Sequence, residues 1–507
     1  MQKATKIILI IVCVVVGFVI AALLIAPRLF DVDHYRPDVI SYIEQNTGRQ
    51  IEIGHLGLSV FPSINIRVDQ FGMANPPGFS RGDWLTVQHI HARLDLHALW
   101  NRQIVIKRLD LDKPVLNLES DAQGRWNYQI APRAQASVQR MMPVAALRDD
   151  RVTHAKFEPP SSDPPLFSLQ EISKVVLNDG QMTVRNLSAA GEPSTPTLEC
   201  RGISSALEGL NFAAFTATTG IAKNPSANAT GTLSVDSLST GSIEATKVES
   251  DVAMSLGQVQ FNHLRFNFYD GHGKGNVLVN LAQPVLEYHA EIELSDVDVA
   301  KLLNQFPASR GAMTGKLDGQ MNLFGKSIKS SNPWEGKQGN GTVIIHKGRW
   351  LKLQLNKNLL ELAHVAQLGP ASGDPSAFSS ISARWQLANS VLTTPSVHII
   401  GTGITVDGSG RVELSGANSL HYQGIAEFAA RQNPLTNILA NISGATYQNG
   451  QLKLPFVVNG TLQRPLFQLE TARQFFQPPA ATSPAANPNQ PPNALQNLFK
   501  LFQQKKR

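Results

Sequence analysis

Cysteine is nearly absent from this sequence: Cys13 and Cys200 are the only two in 507 residues. Cys13 lies inside an apolar run, which excludes a disulfide framework and a cysteine-based metal site as organising features. Charge is also scarce. Asp, Glu, Lys and Arg make up 17% of the chain, against about 25% in an average globular protein. Ser, Thr, Asn, Gln and Gly fill the deficit, and these suit exposed sheet and turns. The net charge of +6 is scattered rather than gathered into a stripe, which argues against a nucleic-acid surface. No set of nucleophile, base and oxyanion donors can be assembled from the sequence, so a hydrolase is not expected. Beyond residue 26 no apolar run is long enough to span a bilayer.

One long apolar run is present, at the start. Ile7 to Ala26 is 20 residues without a charge, which at 1.5 Å per residue spans roughly 30 Å, the thickness of a hydrocarbon core. Lys3 and Lys6 precede it, while Arg28 is joined by Asp31 and Asp33. The positive-inside rule then places residues 1–6 in the cytoplasm and the body across the membrane. A cleaved signal peptide would have a shorter apolar region and a small-residue cleavage site; "LLIAPRLF" offers neither. The expectation is an uncleaved single-pass anchor at 7–26.

The body has a different texture. "DVDHYRPDVISYIEQNTGRQ" reads as a helix capped by Asp33 and ended by Gly48, with Val39, Ile40 and Ile43 on one face. From there to residue 130 the chain is short alternating runs cut by Gly, Pro and Asn, the pattern of strands. Residues 131–167 are rich in Pro, Ala and Ser and read as a long loop. Strands resume over 168–470. The clearest is "VLEYHAEIEL", with Leu286, Tyr288, Ala290, Ile292 and Leu294 on one side and Glu287, His289, Glu291 and Glu293 on the other. Such alternation marks an antiparallel sheet with one wet face. Short helices are expected at "SDVDVAKLLNQF", where Ser295 and Asp298 resemble a capping box, and at 356–368. Residues 471–492 form a Pro-rich linker. Residues 493–507 place Leu495, Leu498, Phe499 and Phe502 on one face of a basic amphipathic helix, suited to a membrane surface.

The pattern predicts roughly 25–30 short strands, which stacked in one sheet would reach on the order of 100 Å. Few helices are available to cover so long a sheet. Either it closes on itself as a sandwich or it curls and leaves its apolar face as a groove. Several constellations invite a chemical reading. "DGHGKG" (270–275) could cradle a phosphate, but alternation on both sides, Leu264, Phe266 and Phe268 before and Val277 and Val279 after, makes it a turn between strands with glycines supplying the reversal. "GSG" at 408–410 reads as turn chemistry too. "HIHARLDLH" supplies His89, His91 and His97, with His89 and His91 on one strand face, and Asp110 and Asp112 share a face as well; with no third ligand and no second shell identifiable, these read as solvated strand faces. No cofactor and no metal is expected.

Several segments together resemble the AsmA family of bacterial envelope proteins. They are an anchor, a helix ending "TGRQIEIG", the strand "SVFPSINIRV", the turn "ANPPGF" and the segment "LNLESDAQGRWNY". Further along, "LRFNFYDGHGKGNVLVNL", "LSDVDVAKLLNQF", "GAMTGKLDGQMNLFGKS" and "LPFVVNGTLQRPLFQLE" resemble that family's second region, in order. The resemblance implies a non-catalytic periplasmic body tethered to the inner membrane. Its long curled antiparallel sheet would hold phospholipid in an apolar groove and serve outer-membrane homeostasis, with outer-membrane or periplasmic proteins as further partners. The groove-lining candidates are Leu264, Phe266, Phe268, Leu286, Ile292 and Leu294. The alternative is a non-catalytic factor that assists outer-membrane protein assembly, its apolar face closed as an ordinary core.

Overall fold

The computed structural model describes residues 32–469, apart from 60–62, 102, 122, 129–167, 189–190, 212–228, 256, 281–285, 308, 327–331, 333, 352–373, 375, 417, 430–443 and 462–463. The expected anchor at 7–26, the helix at 356–368, the linker and the C-terminal helix with Leu495, Leu498, Phe499 and Phe502 lie outside the described residues. Among the described residues no helix is long and apolar enough to cross a membrane.

Strand pairing is nearly sequential. The described residues hold 21 strands, fewer and longer than the alternation suggested. β1 (Ile51–Ser59), β2 (Ile64–Ala74) and β3 (Asp83–Leu94) form an antiparallel meander. β4 (Gln103–Asp112) and β5 (Val115–Ser120) are two halves of one row, broken at Lys113 and Pro114. β6 (Ser168–Asn186) then lies parallel to that row. An all-antiparallel sheet was expected, and this joint corrects it. Parallel neighbours need a crossover of a dozen or more residues, and the Pro/Ala/Ser-rich stretch falls on that connection.

From β6 onward every pairing is antiparallel. β7 (Leu198–Asn211), β8 (Ala229–Thr240), β9 (Ile243–Ser255), β10 (Gln258–Phe268), β11 (Gly271–Asn280) and β12 (Glu287–Asp298) follow in order. So do β13 (Met313–Lys326), β14 (Lys337–Trp350), β15 (Ala377–Ala388), β16 (Val391–Gly401), β17 (Ile404–Glu413) and β18 (Ser419–Ala429). β20 (Gln451–Thr461) pairs with β18, and β19 (Thr446–Gln448) and β21 (Pro465–Leu469) share its far edge.

The helices are short. α1 (Arg36–Thr47) ends at Gly48 in the left-handed conformation, as expected. Asp33 does not cap it: its carboxylate accepts from the Leu56 N–H instead. Arg36 donates to the carbonyls of Ile53 and Gly54, and Glu44 accepts from the Ile51 N–H. The side chains of this leading segment thus occupy the free backbone groups of β1, which blunts an edge that would otherwise template foreign strands. α2 (Leu96–Trp100), which the pattern did not suggest, is capped by Asp95. α3 (Val299–Asn304) is capped by Asp298 alone, Ser295 being still in β12.

Asp179, Lys247, His263 and Asp296 adopt positive φ at register shifts. Each bulge bends its strand and increases local twist, so the sheet is bent at intervals by polar residues that the alternation alone does not flag.

Candidate functional site

Register converts the alternation of single strands into one surface. Directly opposed residues run Phe266–Gly273–Leu294–Gly319–Val343–Ala383–Val397–Gly408–Gly424–Phe456, ten strands in succession, each member apolar or glycine. At about 4.8 Å per strand this strip extends about 43 Å. A second row beside it reads Leu264–Gly275–Ile292–Met321–Gly341–Trp385. On the opposite face Lys274, Gln320, Thr342 and Arg384 are exposed.

The structure therefore brings Leu264, Phe266, Phe268, Ile292 and Leu294 onto one face of three adjacent strands. Leu286 lies one residue before β12 and is half-buried. Leu294 is only 8% exposed. Leu264 and Phe266 pack against a small cluster of Cys200, Val235 and Val248. Burial pushes the Cys200 thiol up to about 11, which leaves it an inert core group.

The glycines of "DGHGKG" do something other than turn the chain. The reversal is made by Tyr269 and Asp270, both at positive φ, while Gly271, Gly273 and Gly275 belong to β11. A Cβ on Gly273 would lie 2.1 Å from the Phe266 ring. "GSG" at 408–410 is likewise interior to β17, and a Cβ on Gly410 would sit 2.3 Å from the Tyr422 ring. Trp385 lies over Gly341, Tyr288 over Gly325 and Phe456 over Gly424 in the same way. The missing side chain lets each ring lie across a neighbouring strand. Large rings thus pave the apolar strip, and its members Val343, Val397 and Phe456 also pack into the adjoining core.

The two rims of the strip differ. Along one rim, strand ends carry Ile345, Phe378, Ile399, Ile404, Phe428 and Leu452, and α3 adds Val299 and Leu303, closing a core. At the other rim lies a cavity of about 530 Å³, lined by Leu323, Trp334, Trp385, Leu392, Leu414 and Tyr422 among others. That volume is in the usual ligand range of roughly 300–1,000 Å³. Sequence reasoning missed Met321, Val343, Trp385 and Val397; alternation around Val343 and Trp385 is visible in "GTVIIHKGRW" and "SARWQLA", but not the register that aligns all four. On the polar face a cleft of about 870 Å³ runs past Arg265, Lys274, Glu293 and Arg384, with Lys274 and Glu293 in an ion pair at 3.0 Å.

The remaining constellations resolve into local pairs. His89 Nδ1 meets Asp69 at 2.6 Å, and its ring centroid is 6.4 Å from that of His91. His97 lies in α2. Asp110 accepts from Arg108 and Asp112 from Asn178. Among the described residues no group of three or more His, Cys, Asp or Glu is placed to hold a metal ion.

At the N-terminal end, separate sequence segments meet in one buried polar node. Asn127 is fully buried; its amide donates to Asn75 Oδ1 at 2.8 Å and to the Asn117 carbonyl at 2.7 Å, and its oxygen accepts from the Glu119 N–H at 3.0 Å. Arg49 donates to the Asn127 carbonyl and sits 5.2 Å from the Trp84 ring centroid. Glu119 accepts from the backbone and hydroxyl of Ser80. Asp121 accepts from Gln123 and Arg125. Burial works against its charged form, but the Arg125 N–H, the Arg125 guanidinium and the Gln123 N–H outweigh it and hold the carboxyl below its ordinary value. "TGRQIEIG", "ANPPGF" and "LNLESDAQGRWNY" are thus three walls of one joint.

A helix-blunted meander locked by a buried amide, continued into a long sheet with an apolar strip, defines a class of mainly β proteins built on one large sheet. Residues 1–190 match the sequence model of the AsmA family, so this N-terminal region is similar to that family. No curated protein and no solved structure matches it. The second set of resembling segments, from "LRFNFYDGHGKGNVLVNL" onward, lies beyond the matched residues.

Proposed function

We propose that this protein is a non-catalytic, inner-membrane-tethered periplasmic carrier that conducts phospholipid between membranes along the apolar strip and so supports the outer membrane. The observation that carries this reading is the ten-strand row of apolar and glycine residues from Phe266 to Phe456. Exposure of an acyl chain to water costs about 0.8 kcal/mol per methylene. A continuous apolar floor removes that cost at every step, so movement along it needs no catalyst; net direction needs an external energy source. The glycine-supported rings keep the floor open to fatty chains. The anchor at 7–26 and the basic face near Phe499 and Phe502 fit the same picture at the two ends of the chain.

The test is Ile292→Asp, which puts a charge in the middle of the second row. Lipids retained by the purified protein are measured by mass spectrometry. The expected result is normal abundance with loss of most co-purifying phospholipid and a weakened envelope. Normal lipid content and a normal envelope in that variant would refute the proposal. The closed core along one rim favours the rival reading, an assembly factor for outer-membrane proteins. Photo-crosslinkers at Met321 and Val343 separate the two, since lipid adducts belong to the carrier alone and protein adducts to the assembly factor.

A further inference from the structure

The cavity at the open rim contains one polar feature that its apolar lining does not explain. Thr394, 6% exposed, places its hydroxyl 2.6 Å from the Tyr422 hydroxyl, and among the described residues neither makes another hydrogen bond. Two hydroxyls carry two protons, and one bond between them uses one. The second O–H is left facing a cavity whose other walls include Leu392, Val397, Leu414 and Ala383. Thr394 is buried and Tyr422 half-buried, so the spare O–H lies beside apolar walls that offer it no acceptor, and its position is fixed rather than accidental, because the Tyr422 ring is laid across Gly410.

We infer that this cavity is a docking position for an acyl ester, whose carbonyl oxygen accepts from the Thr394–Tyr422 pair while its chain lies against the apolar walls. The inference rests on the carrier reading and narrows it. The occupant must offer a strong acceptor, no donor of its own, and hydrocarbon beside it. An ester carbonyl meets all three requirements; an ether oxygen is a weaker acceptor, and a plain alkyl chain offers none.

The experiment compares dioctanoyl phosphatidylcholine with its di-O-octyl ether analogue. Both are titrated calorimetrically, below their micellar concentrations, into the full chain held in amphipol. The wild type binds the ester about tenfold more tightly, the scale of one hydrogen bond to an otherwise unsatisfied donor. Thr394→Val combined with Tyr422→Phe keeps the volume and binds both lipids at the weaker, ether level, which also shows that the cavity remains intact. Leu392→Trp fills the cavity and abolishes both. Equal affinity of the wild type for ester and ether overturns the inference and leaves the carrier reading standing, as does a double variant that keeps the tenfold preference. Binding of neither lipid overturns both.

Discussion

Asn127→Ala is the sharpest test of the N-terminal joint. The substitution removes an amide that satisfies the buried Glu119 N–H, the half-buried Asn117 carbonyl and the amide oxygen of half-buried Asn75. Each group left unpaired in a buried position costs about 1–3 kcal/mol. Three such groups set an upper range that relaxation and entering water reduce, so the expected loss is about 4 kcal/mol, well above the usual 0.5–3 kcal/mol of a point mutation. The local backbone is kept, since Asn127 still pairs through its own N–H with the Glu119 carbonyl. Urea unfolding of the full chain in mild detergent, followed by the fluorescence of Trp84 and Trp126, measures the effect as a shifted midpoint. The same variant should be cleaved faster by protease between β5 and β6, because Ser120 at the end of β5 anchors to Asn186 at the end of β6. A loss under about 1 kcal/mol would refute the view that this amide locks the head, and with it the account of why three distant segments belong together.

Other outcomes follow from the same geometry. Gly275→Ala places a Cβ 1.9 Å from the Glu291 carbonyl, which the backbone cannot yield, and should cost about 2–3 kcal/mol by overpacking. Gly273→Ala meets only the movable Phe266 ring and should cost about half that in the same urea titration. Asp33→Ala with Arg36→Ala uncovers the edge of β1 and should produce self-association beyond that of the wild type, read by light scattering; unchanged scattering would count against the blunting role. Asp121 has a folded pKa below its unfolded value near about 4. Its stabilisation is therefore fully present above that pH and lost as pH falls through the depressed folded value. The gap in melting temperature between wild type and Asp121→Asn should be widest at neutral pH and close toward pH 3.

Much of the strand content was legible because alternation is a local property. Glu287 through Leu294 announces its two faces without reference to any neighbour. The C-terminal cap at Gly48 and the helix at Val299–Asn304 were legible for the same reason. The glycines were misread because a glycine between strands and a glycine beneath a cross-strand ring look alike in one dimension. Gly273 is explained only by Phe266, its partner across the ladder. The parallel joint was hidden because its cause, a long crossover, looks in sequence like any Pro-rich loop. Asp33 was read as a helix cap because a short carboxylate before a helix usually is one; its true acceptor role toward Leu56 depends on a strand more than twenty residues away.

By itself the sequence determined the apolar leading segment, the strand-rich body, the scarcity of charge and the side of each strand that is apolar. Only the tertiary structure decided that these sides join into a single strip, that one rim is sealed by α3 and the other opens on Thr394 and Tyr422, and that Asn127 ties three segments into one joint. The physical reason is range. Side-chain alternation follows from the two-residue repeat of a strand, which any short window contains. Register, bulges and buried polar pairing depend on which distant backbone lies alongside, and no window of the chain holds that information.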